Sequence, residues 1–304
     1  MNTHVPMRSI LVATNLSDIG WLLPFASSLA VESGASVTLL HVLSTIRGFT
    51  LDLGCEPYYD PREAIAAATE EIKSIAARVL PTEVQREVVV VDGSPADGIL
   101  AAVRQSHADL LILGTACLRG VERWLVGSVA DTVLRSVSIP VATIGPHARH
   151  AAASGRLVQS ILFATSLNAN SAKAASIVLQ WTERVHGHLT LLHVPSVDDR
   201  TDTQPSKSQP TPSQSEICAD RLRDLVPVEA FKKGQVDAQL RWGRPSQEIL
   251  TAAKAANADL IIVGAAHTPL FGRLAPEGTL HRILSEARCP VVSFHHERAK
   301  HASA

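Results

Sequence analysis

Charge of one sign, paired cysteines and long apolar runs are all missing from this 304-residue chain, and each absence removes a class of function. Lys and Arg number 28 against 29 Asp and Glu, a formal net charge of −1. No overall field therefore draws the protein to nucleic acid or to an anionic membrane. Cys55, Cys117, Cys218 and Cys289 stand far apart with no C-x-x-C pair. They read as free thiols in a reducing compartment rather than a disulfide framework or a zinc site. The opening MNTHVPMRSILVAT lacks the apolar core and cleavage site of a signal peptide, and no apolar run nears the roughly 20 residues that span a bilayer. The expectation is a soluble, cytoplasmic protein. Catalytic signatures are missing too: there is no G-x-S-x-G, H-E-x-x-H or G-x-G-x-x-G. Gly93-Ser-Pro-Ala-Asp-Gly98 has the glycine spacing of a Walker A loop, but Ile99-Leu100 stand in place of its Lys-Ser/Thr.

What the chain does have is length, apolar content and self-similarity. Apolar residues make up 46% and charged residues 19%, enough for buried cores, and 304 residues is about twice the commonest domain size. Ser9-Ile-Leu-Val-Ala-Thr14 is answered by Ser160-Ile-Leu-Phe-Ala-Thr165, and Val37-Thr-Leu-Leu-His-Val42 by Leu189-Thr-Leu-Leu-His-Val194. Gly93–Leu100 is answered by Gly243–Leu250, Ala108–Gly114 by Ala258–Gly264, and Ser138–Ile144 by Arg288–Phe294. The offset stays between 150 and 152 residues across all five segments, which marks a duplication.

Each copy alternates short β-branched runs with longer amphipathic stretches. In the first copy Ile10–Ala13, Val37–Val42, Val88–Val91, Leu110–Leu113 and Val141–Ile144 have the length and composition of strands buried on both faces. Asp18–Glu32, Pro61–Val79, Pro95–Ser106 and Ser128–Arg135 between them carry apolar residues at helical spacing. Gly34 and Gly187 are placed as caps after the first helix of each copy. This order predicts two α/β domains, each a five-stranded parallel sheet with helices on both faces. The boundaries read as 1–147, a linker at 148–157, and 158–304. Asp198–Ser215, rich in Ser, Thr, Pro and Gln, reads as a flexible loop. Its counterpart Ser44–Asp60 carries Phe49, Leu51, Leu53, Tyr58 and Tyr59 and is apolar enough to fold over a pocket.

Ligands of open parallel sheets sit beyond the carboxyl ends of the strands, where strand order reverses. If the first and fourth strands flank that point, Ala13, Thr14 and Asn15 meet the segment from Gly114 to Val129 there. Gly127 and Ser128 open the last helix, whose free N–H groups and dipole suit a phosphate. An ordinary N-cap is the equal alternative. No paired carboxylates converge on this place, which argues against acid–base catalysis.

Gly114, Cys117 and Gly127-Ser128 reproduce the spacing G-x2-G-x9-G-(S/T), and the Val-Ala-Asp-Thr-Val-Leu-Arg-Ser-Val-Ser-Ile-Pro-Val that follows resembles the last helix and strand of the universal stress protein (UspA-type) family. The resemblance covers nearly the whole chain twice. It implies Rossmann-like, adenine nucleotide alpha hydrolase-like domains packed as a pseudo-dimer. Val141–Ile144 and Val291–Phe294, as edge strands, should pair across that axis and leave no exposed sheet edge. It also implies ATP as the candidate cofactor, contacted by Ala13, Thr14, Asn15, Val42, Gly114, Cys117, Gly127, Ser128 and Val129. Departures from the pattern confine that expectation to the first copy. Cys117 replaces the second glycine, and Asn15 replaces the acid usual in nucleotide-binding members. In the second copy His267 stands at the second glycine, ten residues precede Gly278, and Pro269, Pro276 and Glu277 occupy the loop.

Quieter readings accompany the rest. Cys117, near Arg119 and Arg123, is a redox thiol or, more simply, a loop cysteine. His41 and His193 read as structural hydrogen-bonders. Trp124 and Leu125 read as packing, the two arginines as solvated, and His295, His296 and His301 as tail rather than metal ligands. The leading expectation is a non-enzymatic tandem stress-response or signalling module. The alternatives are a weak ATPase or nucleotidyl transferase using the first copy, and a chaperone-like scaffold for an apolar ligand. A further homodimer and unidentified protein partners stay open.

Overall fold

The computed structural model describes residues 7–44, 60–115, 128–195, 212–264 and 278–294. In chain order the first copy runs β1 (Ser9–Thr14), α1 (Ile19–Ser33), β2 (Ser36–Leu43), α2 (Pro61–Val79), β3 (Arg86–Asp92), α3 (Pro95–Gln105), β4 (Leu110–Gly114), α4 (Ser128–Ser136) and β5 (Val141–Ile144). A short connector helix α5 (Arg149–Ala153) follows. The second copy runs β6 (Ser160–Thr165), α6 (Ser171–Arg184), β7 (His188–His193), α7 (Pro212–Arg223), α8 (Val228–Lys232), β8 (Val236–Leu240), α9 (Pro245–Ala255), β9 (Leu260–Gly264), α10 (Thr279–Glu286) and β10 (Val291–Phe294).

Among the described residues the strands form one ten-stranded sheet in the order β3-β2-β1-β4-β5-β10-β9-β6-β7-β8. Within each copy all pairings are parallel. The copies meet where β5 and β10 pair antiparallel, with Thr143 opposite Val291, Ala142 opposite Val292 and Val141 opposite Ser293. The edge strands of the two halves thus satisfy each other, as expected. Alternation along the strands sorts the core into two layers. Ile10 and Val12 pack under α1 with Leu22, Leu23 and Phe25, while Leu11 and Ala13 face Ile99, Val133 and Leu134 of α3 and α4. Both layers run on through the second copy, to Ile177 and Val178 on one face and Ile249 and Ile283 on the other.

Two local devices recur and explain repeated residues. Asp109 Oδ2 accepts the Arg8 and Ser9 N–H groups at 2.8 and 3.1 Å, and Asp259 Oδ2 accepts those of Gln159 and Ser160 at 3.0 and 2.9 Å. Each aspartate fastens the start of its fourth strand to the entry of the first. His41 Nδ1–H donates to the Thr14 carbonyl and His193 Nδ1–H to that of Thr165, both at 2.8 Å. Burial pushes His193 below its usual pKa, consistent with a neutral donor. Both histidines are structural.

Three details depart from the sequence expectation. Gly34 caps α1 in the left-handed region at φ 68°, but in the second copy Val185 is the cap and His186 takes the positive φ. Gly187 is needed for space instead, since a Cβ there would lie 2.8 Å from the Gln159 carbonyl oxygen. The segment read as a loop at 198–215 ends in helix, because α7 begins at Pro212, where proline suits a first helical turn. The connector is also structured: α5 packs on α1, with Gly155 (φ 59°) close to Pro24.

The seam leaves no room at Gly145, where a Cβ would collide with the Leu284 carbonyl oxygen of α10. Gly145→Ala should therefore destabilise the protein by about 1–3 kcal/mol in chemical denaturation. Gly20→Ala, in α1 with nothing within 4 Å, should be neutral or stabilising by about 0.5–1 kcal/mol.

Candidate functional site

Strand order reverses between β1 and β4, so their carboxyl ends border a crevice in the first copy. Ala13 pairs with Leu113, which brings Thr14, Asn15 and Gly114 together. Val42 lies one strand further out, next to His41 opposite Thr14, and its side chain meets α3 where a Cβ on Gly98 would be 2.8 Å from Cγ2. Ser128 is the exposed first residue of α4, its carbonyl accepting the Thr132 hydroxyl at 2.8 Å, and Val129 is half-buried against the second core layer. Cys117, Gly127, Arg119, Arg123, Trp124 and Leu125 lie outside the described residues. So do His267, Pro269, Pro276, Glu277, the tail histidines and residues 45–59.

The crevice contains a group that the sequence presents only as a helix start. Asp18, the residue before α1, does not use its side chain to cap the helix. Its Oδ1 turns back to accept the Thr14 hydroxyl at 2.6 Å and the Asn15 N–H at 3.1 Å, while Leu16 N–H reaches Thr14 Oγ1 at 3.0 Å. These bonds hold Leu16 at φ 70°, a conformation that costs energy for a residue with a Cβ. Oδ2 lies against Gly114, 3.0 Å from where a Cβ there would sit. Glycine at 114 thus makes room for the acid as well as ending the strand.

An arginine from the connector completes the cluster. Arg149 Nη2 donates to the Thr115 carbonyl at 3.0 Å, and its guanidinium lies 4.7 Å from the centre of the Trp21 ring. Burial pushes the Asp18 carboxyl above its usual pKa; the Thr14 and Asn15 hydrogen bonds and the Arg149 charge pull it partly back. The second copy builds the same turn from neutral groups. Thr165 Oγ1 bonds Ser171 Oγ at 2.8 Å, Asn168 Oδ1 accepts the Asn170 N–H at 2.9 Å, and Leu167 sits at φ 56°. Arg221 Nη2 donates to the Leu167 carbonyl at 2.9 Å, with no carboxylate at the turn. Asp18 was legible as the one acid in Asn15-Leu-Ser-Asp18 that Ser166-Leu-Asn-Ala-Asn170 lacks. Arg149 lies outside the repeat, so aligning the copies passes over it.

Comparison with known proteins shows the family and the fold. The sequence profile of the universal stress protein family matches residues 7–145 and again 158–295, and the chain belongs to that family as a tandem member. A universal stress protein of Methanocaldococcus jannaschii is 31% identical over 75 residues, 25% of this chain and 44% of that protein, so the chain aligns with under half of that relative's length. Universal stress protein YxiE of Bacillus subtilis is 26% identical over 150 residues, 44% of this chain and 96% of its own. Among solved structures, a universal stress protein from Archaeoglobus fulgidus superposes with TM-score 0.69 at 17% identity, covering 97% of this chain and 98% of that one. That likeness shows the fold, two halves included.

Because the folded state binds the Asp18 proton more tightly than the unfolded chain does, protonation favours folding. This contribution is full below the unfolded value near 3.8 and is lost as pH rises through the higher folded value. Asp18→Asn, which retains the acceptor at Oδ1, should melt at a higher temperature than the wild type at pH 7. The gap should close as both are titrated below pH ~4 in thermal unfolding.

Proposed function

We propose that this member of the universal stress protein family is a non-enzymatic stress-response or signalling module, in which the first copy keeps a reduced nucleotide site and the second keeps only the fold. Residues 1–147 and 158–304 act as the two halves of an intramolecular pseudo-dimer joined through 148–157. The observation that carries this reading is the inequality of the two crevices. The first is bounded by Thr14, Asp18 and Gly114, with Arg149 and Trp21 alongside, and the second replaces the acid with Ser171 and Asn168. A nucleotide would rest on Ala13, Thr14, Asn15 and the backbone of Val42, with its phosphates toward Gly114, Cys117, Gly127, Ser128 and Val129. Cys117 weakens that cradle, because it brings a side chain to a position where the family's pattern has glycine. ATP is the ligand the reading names, for the first copy alone.

The free thiols Cys218 and Cys289 suit a reducing, cytoplasmic setting, and burial pushes the Cys289 thiol up to about 12, which leaves it inert. Among the described residues no helix is long and apolar enough to cross a membrane.

Calorimetric titration of the full-length protein with ATP and Mg²⁺ tests the assignment. Weak binding to one site per chain is expected, tightened in Cys117→Gly by about tenfold, the worth of one recovered hydrogen bond to a charged group. No heat from either protein up to millimolar nucleotide would sink the nucleotide reading. Release of inorganic phosphate during the titration would replace the binding module with an ATPase.

A further inference from the structure

The charge on Asp18 has no structural purpose in the turn that holds it. Only 8% of the residue is exposed, and a neutral amide would accept the same two hydrogen bonds at Oδ1 without the cost of desolvating a carboxylate. The second copy makes the equivalent turn from Ser171 and Asn168 with no carboxylate, although Arg221 donates to the Leu167 carbonyl there. In the first copy the second oxygen, Oδ2, lies beyond the carboxyl ends of the paired strands β1 and β4, against the backbone of Gly114. The nearby cation is held to other tasks: Arg149 is fixed on the Thr115 carbonyl and the Trp21 face, although its Nε is buried with no hydrogen-bond partner among the described residues. A desolvated carboxylate at the switch point, balanced at a distance rather than by a direct ion pair, is arranged to accept from something that enters the crevice.

We propose that Asp18 is the ligand-selecting group of the first-copy crevice, accepting hydrogen bonds from the hydroxyl- or amino-bearing end of a nucleoside and turning the phosphates away. The inference rests on the nucleotide reading above and adds polarity and specificity to it. A hydroxyl or amine donating to a buried carboxylate makes a charge-assisted bond, about twice as strong as a neutral one. Phosphate oxygens in the same place would meet an anion in a medium of reduced dielectric and be repelled. The first turn of α4, beginning at Ser128, offers the opposite field and takes the anionic end. The acid at one end and the helix at the other orient the ligand in one direction.

Calorimetric titration of the full-length wild type and of Asp18→Asn with adenosine, and separately with ATP and Mg²⁺, decides the matter. Both ligands should bind the variant at least about tenfold more weakly, the worth of one charged hydrogen bond, while its melting temperature at pH 7 is no lower than that of the wild type. Should Asp18→Asn not fold, Asp18→Ser, which supplies the hydroxyl that the second copy uses, is read in the same way. Unchanged affinity for both ligands overturns the inference and leaves the nucleotide reading standing. ATP binding that tightens while adenosine is unaffected also overturns it, because the acid would then only repel phosphate. If neither ligand binds the wild type, the nucleotide reading falls and this inference falls with it.

Discussion

The antiparallel pairing of β5 with β10 is the constraint from which the rest of the molecule follows. Each copy alone would end its sheet in a short strand whose side chains are apolar on both faces and whose N–H and C=O groups are unpaired on one side. Val141, Ala142, Val291 and Val292 are at most 1% exposed because each strand closes the other's edge. The pairing also makes the two core layers continuous across the copies. Packing beside the seam then depends on both halves at once. A small apolar gap is lined by Met7, Leu29 and Leu110 from one copy and Ile161, Trp181 and Val292 from the other, with Trp181 held by its tilted contact with Phe294 at 5.7 Å. Arg184 of α6 donates to the Ser33 carbonyl of α1 at 2.7 Å across the same boundary. The lack of space at Gly145 is a further consequence of how closely α10 approaches the end of β5.

The same pairing fixes where each crevice opens. Antiparallel halves place the carboxyl ends of their strands at opposite ends of the sheet. The chain leaving β5 emerges at the crevice end of the first copy, and that is also the end at which β6 begins. The connector never has to cross the sheet, so a short segment suffices, and α5 settles on α1 beside the first crevice. Arg149 can reach Thr115 and Trp21 for this reason alone. A single connector lies beside one crevice, so duplication followed by fusion makes the two crevices unequal in their surroundings.

Strand and helix order was legible in the sequence because buried parallel strands announce themselves as short β-branched runs, and because each run occurs twice. The seam was legible as well, since Val141–Ile144 and Val291–Phe294 are too apolar to remain bare edges. What escaped the reading was what the repeat does not encode. Gly187 looked like Gly34, yet its neighbour His186 absorbs the left-handed conformation and Gly187 answers to crowding by Gln159. Asp18 looked like the first residue of a helix, because a sequence shows neither which way a carboxylate turns nor that Thr14 and Asn15 would hold it away from the helix. Arg149 sits in a stretch of Ala and Ser where composition suggests only a linker. Tertiary contacts between distant segments, 149 with 115 and 21, give it a place.

On the proposed reading, stability and binding make opposite demands on the first turn of the first copy. The second copy shows that a neutral Thr–Ser–Asn arrangement satisfies the strained turn, with Leu167 held in the same left-handed region as Leu16. The fold therefore does not require the carboxylate, and burial raises its pKa as the physical sign of an unfavourable charge. Groups that cost folding energy where a cheaper residue would serve are concentrated at sites that bind or react. By that criterion Asp18 is the observation that favours the first crevice as the place where a ligand is proposed to bind. The second copy satisfies the same turn with Ser171 and Asn168 and contributes β10, which closes the edge of the first sheet.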